Sequence, residues 1–272
     1  MSIHRFPALT NPDGITLGQL SQYPSLNATG ASPKMSSKYT FLSTIDIIRP
    51  LLESGYVVTH VTQRATRSGH RDPKFTRHLV RLRRLKDKPI VGDVFPEVHI
   101  TNSHDGQSRY QMYAALLRLA CSNGMAISTV KFKGLTLIHR GELEALHKQI
   151  NEGIVQAADA GKIVEKMTKK MLNEKAQLSF ARDAAKLVFD YKYSKLDFDT
   201  RVLLAPRREE DTKNDLWTVY NRVQENLIRG KVEIDRQTSS GVRHAITRGV
   251  TNIRREIDVN IGLWQLASRA AA

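Results

Sequence analysis

A single cysteine, Cys121, leaves the 272-residue chain with no intramolecular disulfide and no multi-cysteine zinc site. This fits a reducing compartment, and the apolar run Tyr113 to Ala120 before Cys121 predicts a buried structural thiol rather than a nucleophile. No apolar stretch is long enough for a transmembrane helix. The first 43 residues lack the charged-then-apolar order of a secretory signal, so a soluble chain in the cytoplasm of its host cell is expected. Also missing are a Walker A loop, a His-Glu-x-x-His helix, a nucleophile elbow and any glycine-rich phosphate cradle. No enzyme chemistry, catalytic residue, metal site or cofactor is therefore assigned. His99 and His104-Asp105 invite a metal reading, but further ligands at suitable spacing are absent, and Asp105-Gly106 reads better as a turn.

Acidic residues are scarce too. Forty-two Lys and Arg oppose 27 Asp and Glu, a net charge of +15. Such an excess strains the folded state by self-repulsion, and its usual use is to attract a polyanion. The charge is clustered. Between Arg64 and Lys88 stand Arg64, Arg67, Arg71, Lys74, Arg77, Arg81, Arg83, Arg84, Lys86 and Lys88, opposed only by Asp72 and Asp87, a local balance of +8. One or two cations would protect an edge strand from aggregation; ten suit a phosphate backbone, because each guanidinium can fork onto phosphate oxygens. Arg109, Lys131 and Lys133 extend the basic set. Tyr110, Tyr113 and Phe132 beside them are candidates for stacking on unpaired bases, against the commoner fate of such rings in a core.

Residues 1–42 read as an extended arm, broken by Pro7, Pro12, Pro24 and Pro33, yet too apolar to be a free tail. Residues 43–140 read as a sheet-rich basic region. A helix over 43–54, kinked at Pro50 and stopped by Gly55, precedes strands at 56–63, 77–86, 94–101 and 108–120. A hairpin at Asn123-Gly124 then leads into a return strand at 125–138. Residues 141–272 read as a helical region packing on the sheet, with helices at 179–191, 215–229 and 242–268. The fold class is α+β, an antiparallel sheet in the first half followed by a helical half, within about one continuous domain. In the 215–229 helix, Asn221 and Glu225 lie one turn apart; polar bonding to neighbouring segments explains them better than catalysis, because Trp217, Tyr220, Val223 and Leu227 form a buried stripe.

Several segments carry a resemblance: Asn102-Ser103-His104-Asp105-Gly106, Cys121-Ser122-Asn123-Gly124-Met125, Pro206 to Asp211, Leu216 to Asn226 and Asn260 to Leu266. Over about residues 95–268 the chain resembles a phage- and plasmid-encoded protein family of unknown function. The resemblance transfers no catalytic residue. It implies a mobile-element setting, in which proteins that handle replicating or recombining DNA are common. The expected function is that of a phage-type single-stranded DNA-binding protein, in its fullest form a single-strand annealing protein that assembles into homo-oligomeric rings with the arm as a clasp. The alternative is an anti-defence or regulatory protein whose basic surface meets a host protein.

Overall fold

The computed structural model describes residues 3–4, 6–67, 71–108, 110–121, 123–129, 140–189 and 198–272, without the side chains of residues 3, 4, 67, 121, 123, 128, 129 and 140–147. The chain divides into two compact units, Met1–Asp159 and Ala160–Ala272. The fold is α+β.

In the first unit a six-stranded antiparallel sheet has the order β2 (Leu9–Thr10), β3 (Tyr56–Gln63), β5 (His78–Arg84), β6 (Val94–Asn102), β7 (Gln111–Arg118) and β8 (Asn123–Thr129). Short β1 (Ile3–His4) pairs separately with β4 (Thr66–Arg67). The sheet has one strand more than the five expected, because the N-terminal arm adds β2 to the edge of β3. The rest of the arm packs on its own unit. It buries Ile15, Leu20, Tyr23 and Leu26, forms α1 (Leu17–Leu20) behind a Thr16–Gln19 capping box, and bonds Ser25 to Gln63 through backbone and hydroxyl at 3.1 and 2.8 Å.

Helix α2 (Thr44–Glu53) starts where Ser43 accepts from the Asp46 amide, and it contains Pro50 as expected. Its Thr44 hydroxyl meets His78 Nε2 at 2.8 Å. α3 (Arg140–Asp159) packs on β6 and β7, and its Asn151 accepts from Tyr56. On this face of the sheet Val58, Val80, Leu82, Val98, Ile100 and Leu116 are fully buried. The connection from β7 to β8 is a short turn at Leu119–Cys121, so Asn123-Gly124 opens β8 instead of forming the hairpin turn. Beyond Thr129, the expected return strand lies outside the described residues, and so does the side chain of Cys121.

The second unit is not wholly helical. α4 (Gly161–Lys169), α5 (Glu174–Ala185), α6 (Leu216–Arg229) and α7 (Ile253–Ala271) surround a core containing Val164, Met167, Phe180, Tyr220, Leu263 and Trp264. Tyr220 stacks on Trp217 and meets Trp264 edge-on. Between α6 and α7 a hairpin, β9 (Gly230–Thr238) and β10 (Gly241–Arg248), occupies the start of what reads in sequence as the last helix. The signal for it is present. Val232 and Ile234 alternate with Lys231, Glu233 and Asp235, and Ser239-Ser240-Gly241 marks a turn.

The hairpin root depends on glycine. Gly230 ends α6 with φ 63° and ψ −145°, and a Cβ there would lie 2.3 Å from the Gly249 nitrogen. Gly230→Ala is expected to lower the unfolding free energy by more than about 2 kcal/mol, from backbone strain plus displacement of the 249 segment. Urea titration of the purified variant measures this; a loss under about 1 kcal/mol would show that the root yields.

Candidate nucleic-acid interface

The basic segment does not fold into one exposed stripe. Alternation places Arg81 and Arg83 on the same face of β5, as expected, but that face is covered, and each residue is only 6% exposed. Arg81 belongs to a cross-strand row running His60, Arg81, His99 and Tyr113. A bulge between Val58 and His60 brings His60 into that row. The Arg81 guanidinium lies over β8, where a Cβ on Gly124 would be 2.5 Å from Nη1. Glycine at 124 is thus the space in which Arg81 rests.

The same face holds a fully buried carboxylate. Glu97 accepts from the Thr59 hydroxyl and from His99 Nε2 at 3.2 Å. Burial holds the imidazoles of His60 and His99 below their ordinary range, and the neighbouring Arg81 charge adds to this. Arg83 is drawn in differently. Its guanidinium lies 5.1 Å from the centre of the Phe95 ring and donates to the Pro12 carbonyl at 3.2 and 2.8 Å. Arg81 and Arg83 are structural cations, and the expectation that they line a phosphate groove is corrected.

The remaining members separate by partner. Arg84 is half-buried beside Asp87 at 3.1 Å. Arg71 meets Asp105 and Gln107, and Arg77 donates to the Gln107 carbonyl at 3.0 Å. Arg64, Lys74, Lys86 and Lys88 are exposed. The side chain of Arg67 and all of Arg109, Lys131, Phe132 and Lys133 lie outside the described residues. The two described aromatic candidates differ in burial, Tyr113 being buried and Tyr110 part-exposed. Tyr113 is 6% exposed in the cross-strand row, and the Tyr110 hydroxyl is buried, which pushes its phenol upward. His104 is also structural: fully buried, it donates from Nε2 to the Ser25 carbonyl at 2.8 Å and packs against the Phe41 and His78 rings. Asp105 and Gly106 follow in a turn, Gly106 with φ 70°.

A second basic surface, not singled out in the sequence, lies on α4. Val164 and Met167 turn inward, so Lys162, Lys166 and Lys169 share the outer face at helical spacing, and Lys170 follows. All four are exposed, and none forms an ion pair among the described residues. The signal was in the sequence as four lysines within Lys162 to Lys170, interleaved with Val164 and Met167.

In α6, Asn221 and Glu225 are structural. Asn221 donates to the Trp217 carbonyl at 2.7 Å. Glu225, 2% exposed, takes both Arg208 guanidinium nitrogens at 2.7 Å and Arg229 at 3.0 Å. The neighbouring Gln224 joins α6 to α7 through Asn260 at 2.9 Å.

The segments that carry the family resemblance build this framework, and a family profile described as a domain of unknown function, DUF932, matches residues 33–263. The chain belongs to the DUF932 family. Relatives of this DUF932 chain include the UPF0380 protein YafZ of Escherichia coli K12, 32% identical over 249 residues, covering 90% of this chain and 86% of the relative. UPF0380 protein YfjQ of the same organism is 31% identical over 246 residues, with the same coverage of each chain. No solved structure matches. Among the described residues no helix is long and apolar enough to cross a membrane.

Proposed function

We propose that the chain is a single-stranded DNA-binding protein that grips phosphates with surface lysines and leaves the bases uncovered, as strand annealing requires. The observation that carries this reading is the α4 face, with four exposed lysines uncommitted to carboxylates in a chain of net charge +15. Arg64, Lys74, Lys86 and Lys88 supply a further set of exposed cations on the first unit. With Tyr113 withdrawn into the sheet, affinity rests on phosphate contact and the release of counterions, so binding is independent of sequence and steeply dependent on salt.

Fluorescence anisotropy with labelled single-stranded and duplex DNA across a salt series tests it. The protein is expected to prefer the single strand. Combined Lys162→Glu, Lys166→Glu, Lys169→Glu and Lys170→Glu is expected to weaken binding more than about tenfold and to reduce the logarithmic salt slope by about three, at roughly 0.7 per lost phosphate contact. Reversal of Arg64, Lys74, Lys86 and Lys88 is the companion measurement. If both sets leave affinity and slope unchanged, the reading fails, and the basic surface serves a protein partner instead. A preference for duplex would also refute it.

A further inference from the structure

The hairpin of β9 and β10 exposes one face along its whole length. Lys231, Glu233, Asp235 and Gln237 on β9 stand beside Val242, His244 and Ile246 on β10, and all seven are exposed. Val242 is 64% exposed and Ile246 is 62% exposed, two of the most exposed large apolar side chains described. Both lie on β10, whose outer edge pairs with no other described strand. An open edge with β-branched residues on an exposed face is a template for strand pairing.

We propose that β10 pairs antiparallel with β10 of a second copy of this chain, about a two-fold axis at His244, to make a continuous four-stranded ribbon. The residue pattern selects both the occupant and the register. Antiparallel pairing centred on His244 sets Val242 opposite Ile246 of the second copy, and Ile246 opposite Val242, on the same face. Residues 242, 244 and 246 are two apart, so their amides point to one side of the strand and matching edge groups face one another. Arg243 then stands opposite Ala245. A shift by two residues in one direction sets Arg243 against Arg243, which repels; in the other it sets Val242 against Arg248 and Ile246 against His244, and leaves only Ala245 against Ala245 as an apolar pair. Of these three registers, only the one centred on His244 sets Val242 and Ile246 against each other without opposing like charges. This is the self-complementarity that an isologous interface needs.

Charge argues against DNA as the occupant of this face. Glu233 is paired in register with Ile246, and Asp235 is paired with His244 at 3.0 Å, so two carboxylates would meet the phosphates. The ribbon is independent of the lysine reading of α4, and it needs a firm root. That is supplied by Gly230 against Gly249, with Arg207 donating to the Gly230 carbonyl and, at 2.7 Å, to Asn226.

Sedimentation velocity of the full chain without DNA, across a micromolar concentration series, tests the ribbon. The wild type is expected to sediment as a concentration-dependent dimer. Ile246→Lys, at an exposed position, is expected to shift it to monomer with unchanged circular dichroism and thermal midpoint. In a Cys121→Ser background, His244→Cys is expected to form a disulfide-linked dimer under mild oxidation, whereas Gln237→Cys on the neighbouring strand is not. A wild-type monomer throughout the series would overturn the proposal, as would a dimer that persists in Ile246→Lys. If the Cys121→Ser background fails to fold, the sedimentation comparison alone decides.

Discussion

Glu225→Ala is expected to lower the unfolding free energy by about 3 kcal/mol, toward the lower end of the range for breaking a buried ion pair. The carboxylate is 2% exposed, and Arg208 grips it with two nitrogens at 2.7 Å each. Arg208 also holds Asp211 at 2.8 Å, so this guanidinium fastens the segment before α6 to the helix. Without Glu225, Arg208 keeps one carboxylate, and Arg229 loses its bond at 3.0 Å. Arg208 retains 20% side-chain exposure, so water compensates part of the loss and the upper end of the range is not reached. Glu225→Gln preserves shape and removes charge, and is expected to fall between the wild type and the alanine variant. Urea titration measures both. A loss under about 1 kcal/mol for the alanine variant would mean that the network contributes no more than a surface pair does.

Acid is expected to destabilise the first unit well before its carboxylates titrate. Burial lowers His78 from its ordinary range to about 3. Burial likewise pushes down His60, His99 and His104. The direction follows from proton counting. Between about pH 6.5 and 3 the unfolded chain binds a proton at His78 that the folded chain refuses, so its contribution is full above the unfolded value and declines as pH falls. The slope is about 1.4 kcal/mol per pH unit for each such histidine. By about pH 5 His78 alone removes roughly 2 kcal/mol, and the other three add to this. Burial keeps the imidazole neutral and the neighbouring His104 adds to this, while the Thr76 carbonyl, 3.2 Å from Nδ1, pulls the other way without prevailing; the Thr44 hydroxyl meets Nε2 at 2.8 Å. His78→Gln is expected to be less stable at neutral pH but to lose less on acidification. Unfolding free energies from urea titration between neutral and mildly acidic pH test this. An unchanged acid slope in His78→Gln would locate the sensitivity elsewhere.

Much of the framework was legible in the sequence because local rules and tertiary packing agree there. Ser43 caps α2, the β-branched run at 56–63 is β3, and Asp215 and Gly230 bound α6, where the Asp215 carboxylate accepts from Thr218. The arm was legible as ordered but not as to what it packs on. The hairpin at 230–248 was missed although its alternation is present, because exposed two-stranded ribbons carry too few apolar residues to stand out beside a helix.

The basic segment shows where sequence stops. Alternation correctly put Arg81 and Arg83 on one face of β5, but periodicity reports which residues share a face and says nothing of what covers it. The cover comes from chain segments far away in sequence: Pro12 and Phe95 for Arg83, and Gly124 for Arg81. The reverse holds on α4, where inward Val164 and Met167 leave the lysines outside. Sequence by itself determined the α+β class, the family and the excess positive charge. Tertiary structure alone decided which cations face water, because burial arises from contacts between distant segments, and a local pattern cannot encode them.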